Sequence, residues 1–340
     1  MNKELFEEND RNIRVFGLET MKKLFETEVL LLGFTPSMTE LSKNLILSGA
    51  GICLFDLNMD VGQKDTLDNF VFNVNDIGKN KANVLKDKIK LFKDPCKISI
   101  INDVNEIKKR NIKYGVIDMS DKHLINENNN IIKQIENIMI ENKGILYYIK
   151  LEKDKAIFLN NILEKKFLEN KSNKDGKDPL FEKDEKITEH LTLSDDEEEN
   201  NNNNSNEKKE EKKEEKKEMD IVDISNEEEK KIIILKDDDY SFFDFNKKIE
   251  EVKNLIPKKL KKYEEDIINS AFDLININLK NSENINPLNC LVNYIIGGVV
   301  CHEIINCISR KKNIRTNIYY FDGFNGYGKF LNELYDKTYD

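Results

Sequence analysis

The stretch from Leu30 to Asn58, LLLGFTPSMTELSKNLILSGAGICLFDLN, holds the residues whose order could do nucleotide chemistry. An apolar run ending VLLLG leads into a turn at Gly33. An amphipathic pattern, ELSKNLIL, comes next, then Gly-Ala-Gly, then a second apolar run that closes on Asp56. This is the outline of a strand-helix-strand nucleotide-binding unit, in which glycines bring the backbone close to the phosphates and an acid after the second strand takes the ribose. Asp56 fits that ribose contact. The turn does not fit, because three glycines are expected and the chain reads G-F-T-P-S-M. The frame of a phosphate-binding unit is present without the loop that holds a phosphate.

Other chemistries find less support. The five cysteines, Cys53, Cys96, Cys290, Cys301 and Cys307, form no Cys-x-x-Cys pair, and the three histidines are scattered. That argues against a zinc site and against a secreted disulfide framework. A net charge of -10 argues against a nucleic-acid partner. Leu288 to Ile308 is the most apolar long stretch, but it contains Asn293, His302, Glu303 and two glycines, so it reads as a buried helix and not as a membrane span. The charged opening MNKELFEENDRNIR shows no signal peptide or anchor. The expectation is a soluble intracellular chain with no membrane partner.

The elements that must position these residues fall into two blocks. A low-complexity segment separates them. Between Asp195 and Lys231 it holds 16 acidic residues and 8 lysines, so it carries most of the net charge; with almost nothing apolar to bury, it is expected to be disordered. The first block, 9–169, alternates apolar runs (VLLLG, ICLFDLN, CKISIIN, YGVIDMS, GILYYIKL) with helix patterns (ELSKNLILSG, KNKANVLKDKIKLF, and an Asn-interrupted helix over 130–141). Residues 170–231 are the linker with its insertion. The second block, 232–334, opens with a strand-like IIIL and continues with an amphipathic helix, the buried helix and a strand at NIYYFDG. Alternating strands and helices predict an α/β fold with a mostly parallel sheet flanked by helices, and the second block is expected to complete the same domain.

At this point the residues resemble a family. NDRNIRVFGLE, Asn9 to Glu19, is similar to the Y-D-R-Q-I-R-L-W-G opening of the ThiF/MoeB-like superfamily, which includes the enzymes that activate ubiquitin and its relatives. The resemblance continues through SKNLILSGAG, Asp56-Leu-Asn and Gly78-Lys-Asn-Lys-Ala82. It returns at Ile295 to Ile305 (IIGGVVCHEII) and at Tyr319 to Gly328 (YYFDGFNGYG), which look most like the C-terminal part of the small subunit of the SUMO-activating enzyme. The resemblance implies a Rossmann-like ThiF/MoeB-type adenylation fold. Active members have a G-x-G-G-x-G-type turn; here Gly33 is kept, Pro36 removes an N–H donor, and Met38 puts a long side chain where close packing wants none. Active members also carry D-x-D-x-V, where this chain has Asp56 and then Asn58. Where they have S-N-L-N-R-Q-F, it reads DTLDNF, with Asp68 for the arginine and Asn69 for the glutamine. Where they have A-L-D-N-R, Met119-Ser-Asp-Lys-His keeps only Asp121. Lys81 stands in its matching position, although a lone helix lysine is more often solvated than catalytic. Gly33, Asp56, Lys81 and Asp121 therefore read as a degenerate nucleotide pocket with no metal site.

By the same resemblance Arg11, in the D-R-x-I-R stretch, would reach across an interface to the partner's ATP. A salt bridge to Asp10 or Glu7 is the plainer role. Arg14, one turn along, is a weaker candidate of the same kind. Gly297-Gly298 lets another backbone approach, inside the fold or from a second subunit. The resemblance implies a regulatory, non-catalytic subunit of a heterodimeric SUMO-activating enzyme. Its partners are the large catalytic subunit and SUMO. The cofactors ATP and Mg sit in the partner and none is bound by this chain alone. The conjugating cysteine lies in the partner, and the expected location is the nucleus, with the cytoplasm also open. The alternatives are a subunit for another modifier, such as that of neddylation, or a free-standing oxidoreductase or adenylyltransferase.

Overall fold

The computed structural model describes residues 9–93, 96–164, 240–254, 256, 262–276, 287–310 and 318–331. Two helices, α1 (Asp10–Phe16) and α2 (Leu18–Glu26), precede β1 (Glu28–Leu32), α3 (Pro36–Ser48) and β2 (Gly51–Phe55). A short turn of helix, α4 (Asp65–Asp68), and α5 (Lys81–Ile89) lead to β3 (Ile98–Ile101), α6 (Asn105–Lys109) and β4 (Tyr114–Asp118). Then come α7 (Lys122–Glu127), α8 (Asn129–Glu141), β5 (Ile145–Glu152), β6 (Lys155–Asn160) and β7 (Ile162–Glu164). The second block supplies β8 (Tyr240–Phe242), α9 (Phe245–Asn254), α10 (Lys262–Asn276), α11 (Pro287–Ser309), β9 (Tyr319–Asp322) and β10 (Tyr327–Phe330).

One eight-stranded sheet runs in the order β10-β9-β6-β5-β4-β1-β2-β3. Its half from β3 to β5 is parallel, and β6, β9 and β10 add antiparallel to it. The parallel strands are mostly apolar because helices cover both faces. Consecutive side chains on β5 show this: Tyr147 bonds Cys307 of α11 (Oη to Sγ 3.0 Å), while Tyr148 donates to Glu136 of α8 (2.9 Å). Neighbours along a strand point to opposite faces, so α11 and α8 lie on opposite sides of the sheet. Lys150 shares the Tyr148 face, and its ammonium caps the last turn of α10 at the Ile275 carbonyl (2.7 Å).

The second block joins the first through strands. β9 pairs with β6, Tyr320 opposite Ile157, and β8 pairs with β7, Ile162 opposite Phe242. The insertion from Ser194 to Lys231 and the IIIL run at 232–235 lie outside the described residues. β6, β7, β8 and β10 are strands that the sequence pattern did not single out. A tight reversal at Lys153, held at φ 54°, folds β6 back along β5.

Local signals explain α3. Pro36 stands at its first position, where a missing N–H costs nothing. Gly49 ends it in the left-handed conformation (φ 100°), with its N–H on the Ile46 carbonyl and Ala50 N–H on Leu45, a Schellman closure. The long apolar α11 packs along α3 and also meets α2, β5 and β6. By length and composition Cys290–Ser309 could cross a membrane, but 61% of it is buried inside the fold. Gly297 faces α3: a Cβ there would lie 2.6 Å from the Ser37 carbonyl oxygen. Gly298 faces open space. The first glycine therefore serves internal packing.

Candidate functional site

In an open α/β sheet, ligands bind where the strand order reverses, outside the carboxyl ends of the strands. Here that point lies between β1 and β4, which run side by side with Leu32 opposite Ile117. The loops leaving these strands are Gly33–Thr35 and Met119–Asp121. They meet. Thr35 does not cap α3 with its side chain; its hydroxyl donates to Asp118 Oδ2 and also contacts Ser37 Oγ at 2.9 Å. The other carboxylate oxygen accepts from Ser120 N (2.8 Å). Gly33, at φ 119°, leaves no room for a Cβ, which would lie 2.7 Å from Asp118 Cβ. The glycine that an active phosphate loop needs for nucleotide approach here admits the chain's own aspartate.

The rest of the loop is packed inward. Pro36, Ser37, Met38 and Thr39 are all buried. Burial pushes the Asp118 carboxyl up to about 6; the Thr35 hydrogen bond opposes this and the nearby Asp121 charge adds to it. Asp118 was not among the residues singled out from the sequence. Its place at the end of a strand beside the switch point was the available signal.

The other expected pocket residues are near the crevice, and each is engaged by the protein. Asp56 accepts from Asn58 N (2.8 Å) and from Asn80 Nδ2 (3.0 Å). Asn58 itself sits at φ 53°. Lys81, expected to be solvated, is instead buried, and its ammonium pairs with Asp65 at 2.8 Å. Asp121 accepts from Leu124 N (3.2 Å) at the start of α7. Asn69, standing where the family has glutamine, is buried; its amide donates to Thr39 Oγ1 (2.9 Å) and Phe34 O (3.3 Å), and its oxygen accepts from Val71 N. It ties the segment after α4 to the start of α3. Asp68, in the arginine position, has its carboxyl raised by burial first and by Asp65 second. A triphosphate at this crevice would meet the Asp118 carboxyl, held there by Thr35 and Ser120, while the Lys81 ammonium is already paired with Asp65. The arrangement does not fit one. Among the described residues no cluster of three or more His, Cys, Asp or Glu could hold a metal ion.

Arg11 and Arg14 lie apart from this crevice, on α1. Arg14 forms the salt bridge with Asp10 (2.8 Å), and both partners are well exposed. Arg11 is exposed and makes no ion pair among the described residues; Glu7 lies outside them. The next residue, Asn12, donates to the Leu47 carbonyl (2.9 Å), which docks α1 on the last turn of α3. The cysteines offer no nucleophile in this region. Burial raises the thiols of Cys53 to about 11 and of Cys301 and Cys307 to about 12.

No family model matches the chain. Over 102 residues it is 36% identical to the DNA damage tolerance protein rad31 of Schizosaccharomyces pombe, a match spanning 28% of this chain and 33% of the relative. It is 37% identical over 102 residues to ubiquitin-activating enzyme E1 2 of Arabidopsis thaliana (29% of this chain, 9% of the relative). It is 38% identical over 74 residues to SUMO-activating enzyme subunit 1 of Bos taurus (22% and 21%). The chain thus spans a third or less of the curated relatives it matches. At this modest identity the relatives are E1-like proteins of the ThiF/MoeB group. Among solved structures, PaaA aligns over 97% of this chain and 83% of its own, with a TM-score of 0.53 and 13% identity. The fold is the Rossmann-like ThiF/MoeB-type adenylation fold.

Proposed function

We propose that this chain is the small, non-catalytic subunit of a heterodimeric activating enzyme for a ubiquitin-like modifier, with SUMO as the modifier. The observation that carries the reading is the closed crevice between β1 and β4, where Thr35 bonds Asp118 and Pro36 to Met38 are buried. A working adenylation site needs that crevice open to phosphates. Similarity to a protein named as subunit 1 of the SUMO-activating enzyme supports the choice of modifier.

In this reading the large subunit binds ATP and magnesium and supplies the chemistry that adenylates the modifier and carries it on a thiol. This chain's residues have narrower tasks. The α3–α11 layer gives the partner a folded surface to assemble on. Arg11, exposed on α1 without an ion pair among the described residues, is available to a phosphate across the interface. A guanidinium suits that contact through its fork of donors. The expected site of action is the nucleus, with the cytoplasm also open.

The test is calorimetric titration of the purified chain with Mg-ATP, alongside co-purification with mass identification of its partner. The expected results are no measurable heat and recovery of a large activating-enzyme subunit. Micromolar nucleotide binding by the chain alone would overturn the reading in favour of a free-standing nucleotide enzyme.

A further inference from the structure

The antiparallel half of the sheet carries a cavity of about 620 Å³ on β6, β9 and β10, which β5 separates from the crevice between β4 and β1. Its floor follows from strand register. Asp322 of β9 stands opposite Lys155 of β6 on one side and Tyr327 of β10 on the other; Tyr320 stands opposite Ile157 and Lys329. Residues opposite one another across strands share a face, as do residues two apart along one strand. Lys155, Tyr320, Asp322, Tyr327 and Lys329 therefore line one face. It is the face of Lys150, which stands opposite Ile157 and caps α10. The first half of α10 walls the cavity with Asp266, Ile267 and Ser270.

Some of the polar groups here are already engaged. Asp322 serves its own turn: one carboxylate oxygen accepts from Phe324 N and Asn325 N (3.0 Å each), the other from Asn325 Nδ2 (3.0 Å). Tyr320 is buried and bonds Ser270. Three charged side chains are not engaged. Among the described residues, Lys155, Lys329 and Asp266 make no side-chain hydrogen bond or ion pair. Neither acid opposite Lys155, Glu152 on β5 or Asp322 on β9, reaches its ammonium. With two lysines and two aspartates in its lining, the cavity carries no formal net charge. A simple anion would leave Asp266 unanswered, and a simple cation would leave the two ammonium groups so. An uncharged apolar molecule would strip water from all three and pair none of them. Both signs are answered by a ligand that carries both. Its apolar part has a surface in Ile267 and in the Tyr327 ring, which leans on Tyr320 with centroids 6.4 Å apart.

We infer that this cavity binds a small zwitterion with an apolar side group, an amino acid or a dipeptide. Its carboxylate meets Lys155 and Lys329, its ammonium meets Asp266, and its side group lies against Tyr327 and Ile267. The volume falls within the ~300–1,000 Å³ of small-molecule sites. Burial first, and the Asp322 charge second, raise the Tyr327 phenol, so it remains a hydrogen-bond donor beside the carboxylate. The inference stands apart from the proposed function, since it calls for neither the large subunit nor a nucleotide.

The experiment is calorimetric titration of the full chain with phenylalanine and with the dipeptide Ala-Phe. Each probe is also used with its amine acetylated and with its carboxylate amidated. The expected result is millimolar or tighter binding of at least one parent, and the parent that binds gives the ligand's length. Either modification should weaken it roughly five-fold, the effect of losing one partly exposed ion pair. Variants then assign the two ends. Asp266→Asn should remove the loss caused by acetylation, and the pair Lys155→Gln and Lys329→Gln the loss caused by amidation, because a contact already absent cannot be lost again. These side chains are at the surface, and unfolding midpoints check that the variants fold. No binding by either parent overturns the inference. So do modified probes that bind as well as their parents, or losses that persist unchanged in the variants. Benzoate or benzylamine binding as tightly as the parents would show that one charge suffices, which also overturns it.

Discussion

Two adjacent glycines in one helix should respond to the same substitution with opposite sign. At Gly297 an added methyl would lie 2.6 Å from the Ser37 carbonyl oxygen, 3.1 Å from Glu40 Cβ and 3.2 Å from Leu41 N. Two of these three are backbone atoms of α3. Their helix turn is held by Thr39 N on the Thr35 carbonyl and by Asn69 on Thr39, so it cannot give way cheaply. Forcing a methylene into such a contact costs ~1–3 kcal/mol. Replacing glycine by alanine inside a helix returns ~1 kcal/mol. A 2.6 Å approach to a backbone oxygen puts the cost at the upper end, ~2–3 kcal/mol, so Gly297→Ala should lose on the order of 1–2 kcal/mol net, which lowers Tm by roughly 2–6 °C in a chain of this size. At Gly298 no atom lies within 4 Å of the added methyl, so only the propensity gain remains. Gly298→Ala should gain ~0.5–1 kcal/mol and raise Tm by roughly 1–3 °C. Thermal unfolding of the purified chain, with urea midpoints as a second measure, reads both. Shifts of the same sign, or a Gly297→Ala variant as stable as wild type, would refute the packing argument.

Asp118 should make stability fall as pH rises. Its folded carboxyl is raised to about 6, so the folded state holds a proton that the unfolded chain has released; stability is greatest below pH ~4 for this group and declines by up to ~3 kcal/mol as pH passes 6. Asp118→Asn should flatten that part of a urea-midpoint profile between pH 4.5 and 7, and an unchanged slope would assign it to other acids. Deleting Asp195 to Glu229 should leave folding and partner binding intact, because loop length costs only ~0.6 kcal/mol per doubling; failure to co-purify with the large subunit would show that the segment does more than span. Arg11→Ala should slow adenylation by the assembled heterodimer without disrupting it, at or below the low end of the ~10³–10⁵ range for arginines supplied across interfaces, with partial recovery in Arg11→Lys. ATP–pyrophosphate exchange at saturating and limiting ATP measures it, and unchanged exchange returns Arg11 to an ordinary surface role.

What was legible in the sequence was whatever short-range pattern specifies. The apolar runs around 28–32, 51–55 and 114–118 are strands, and α3 is delimited by Pro36 and Gly49 as capping chemistry requires. The buried helix showed itself by the length of its apolar run and its interior Asn293 and Glu303. β6 escaped notice because its strand signal, AIFLN, follows the VLLLG-like β5 after a reversal at Lys153 and Asp154 that carries no glycine. The site was less legible, because its decisive contacts join distant residues. Lys81 looked solvated because Asp65, 16 positions away, gives no local sign that it will meet the ammonium. Asp118 meets Thr35 across 83 positions, and only the parallel pairing of β1 with β4 brings them together.

The same contacts account for a glycine at position 33 in a turn that otherwise holds none. The frame draws its stability from parts that need no open loop: the buried strands β1, β2 and β4, and the close approach of α3 to α11. The first N–H groups of a helix have no intrahelical partner, so Pro36 deletes no bond that α3 uses. Met38, fully buried, adds apolar contact where a glycine would leave none. Gly33 is different, since any Cβ there strikes Asp118 and its φ of 119° is strained for other residues. Filling the loop beyond Gly33 thus gains packing, whereas a side chain at Gly33 itself would strike Asp118.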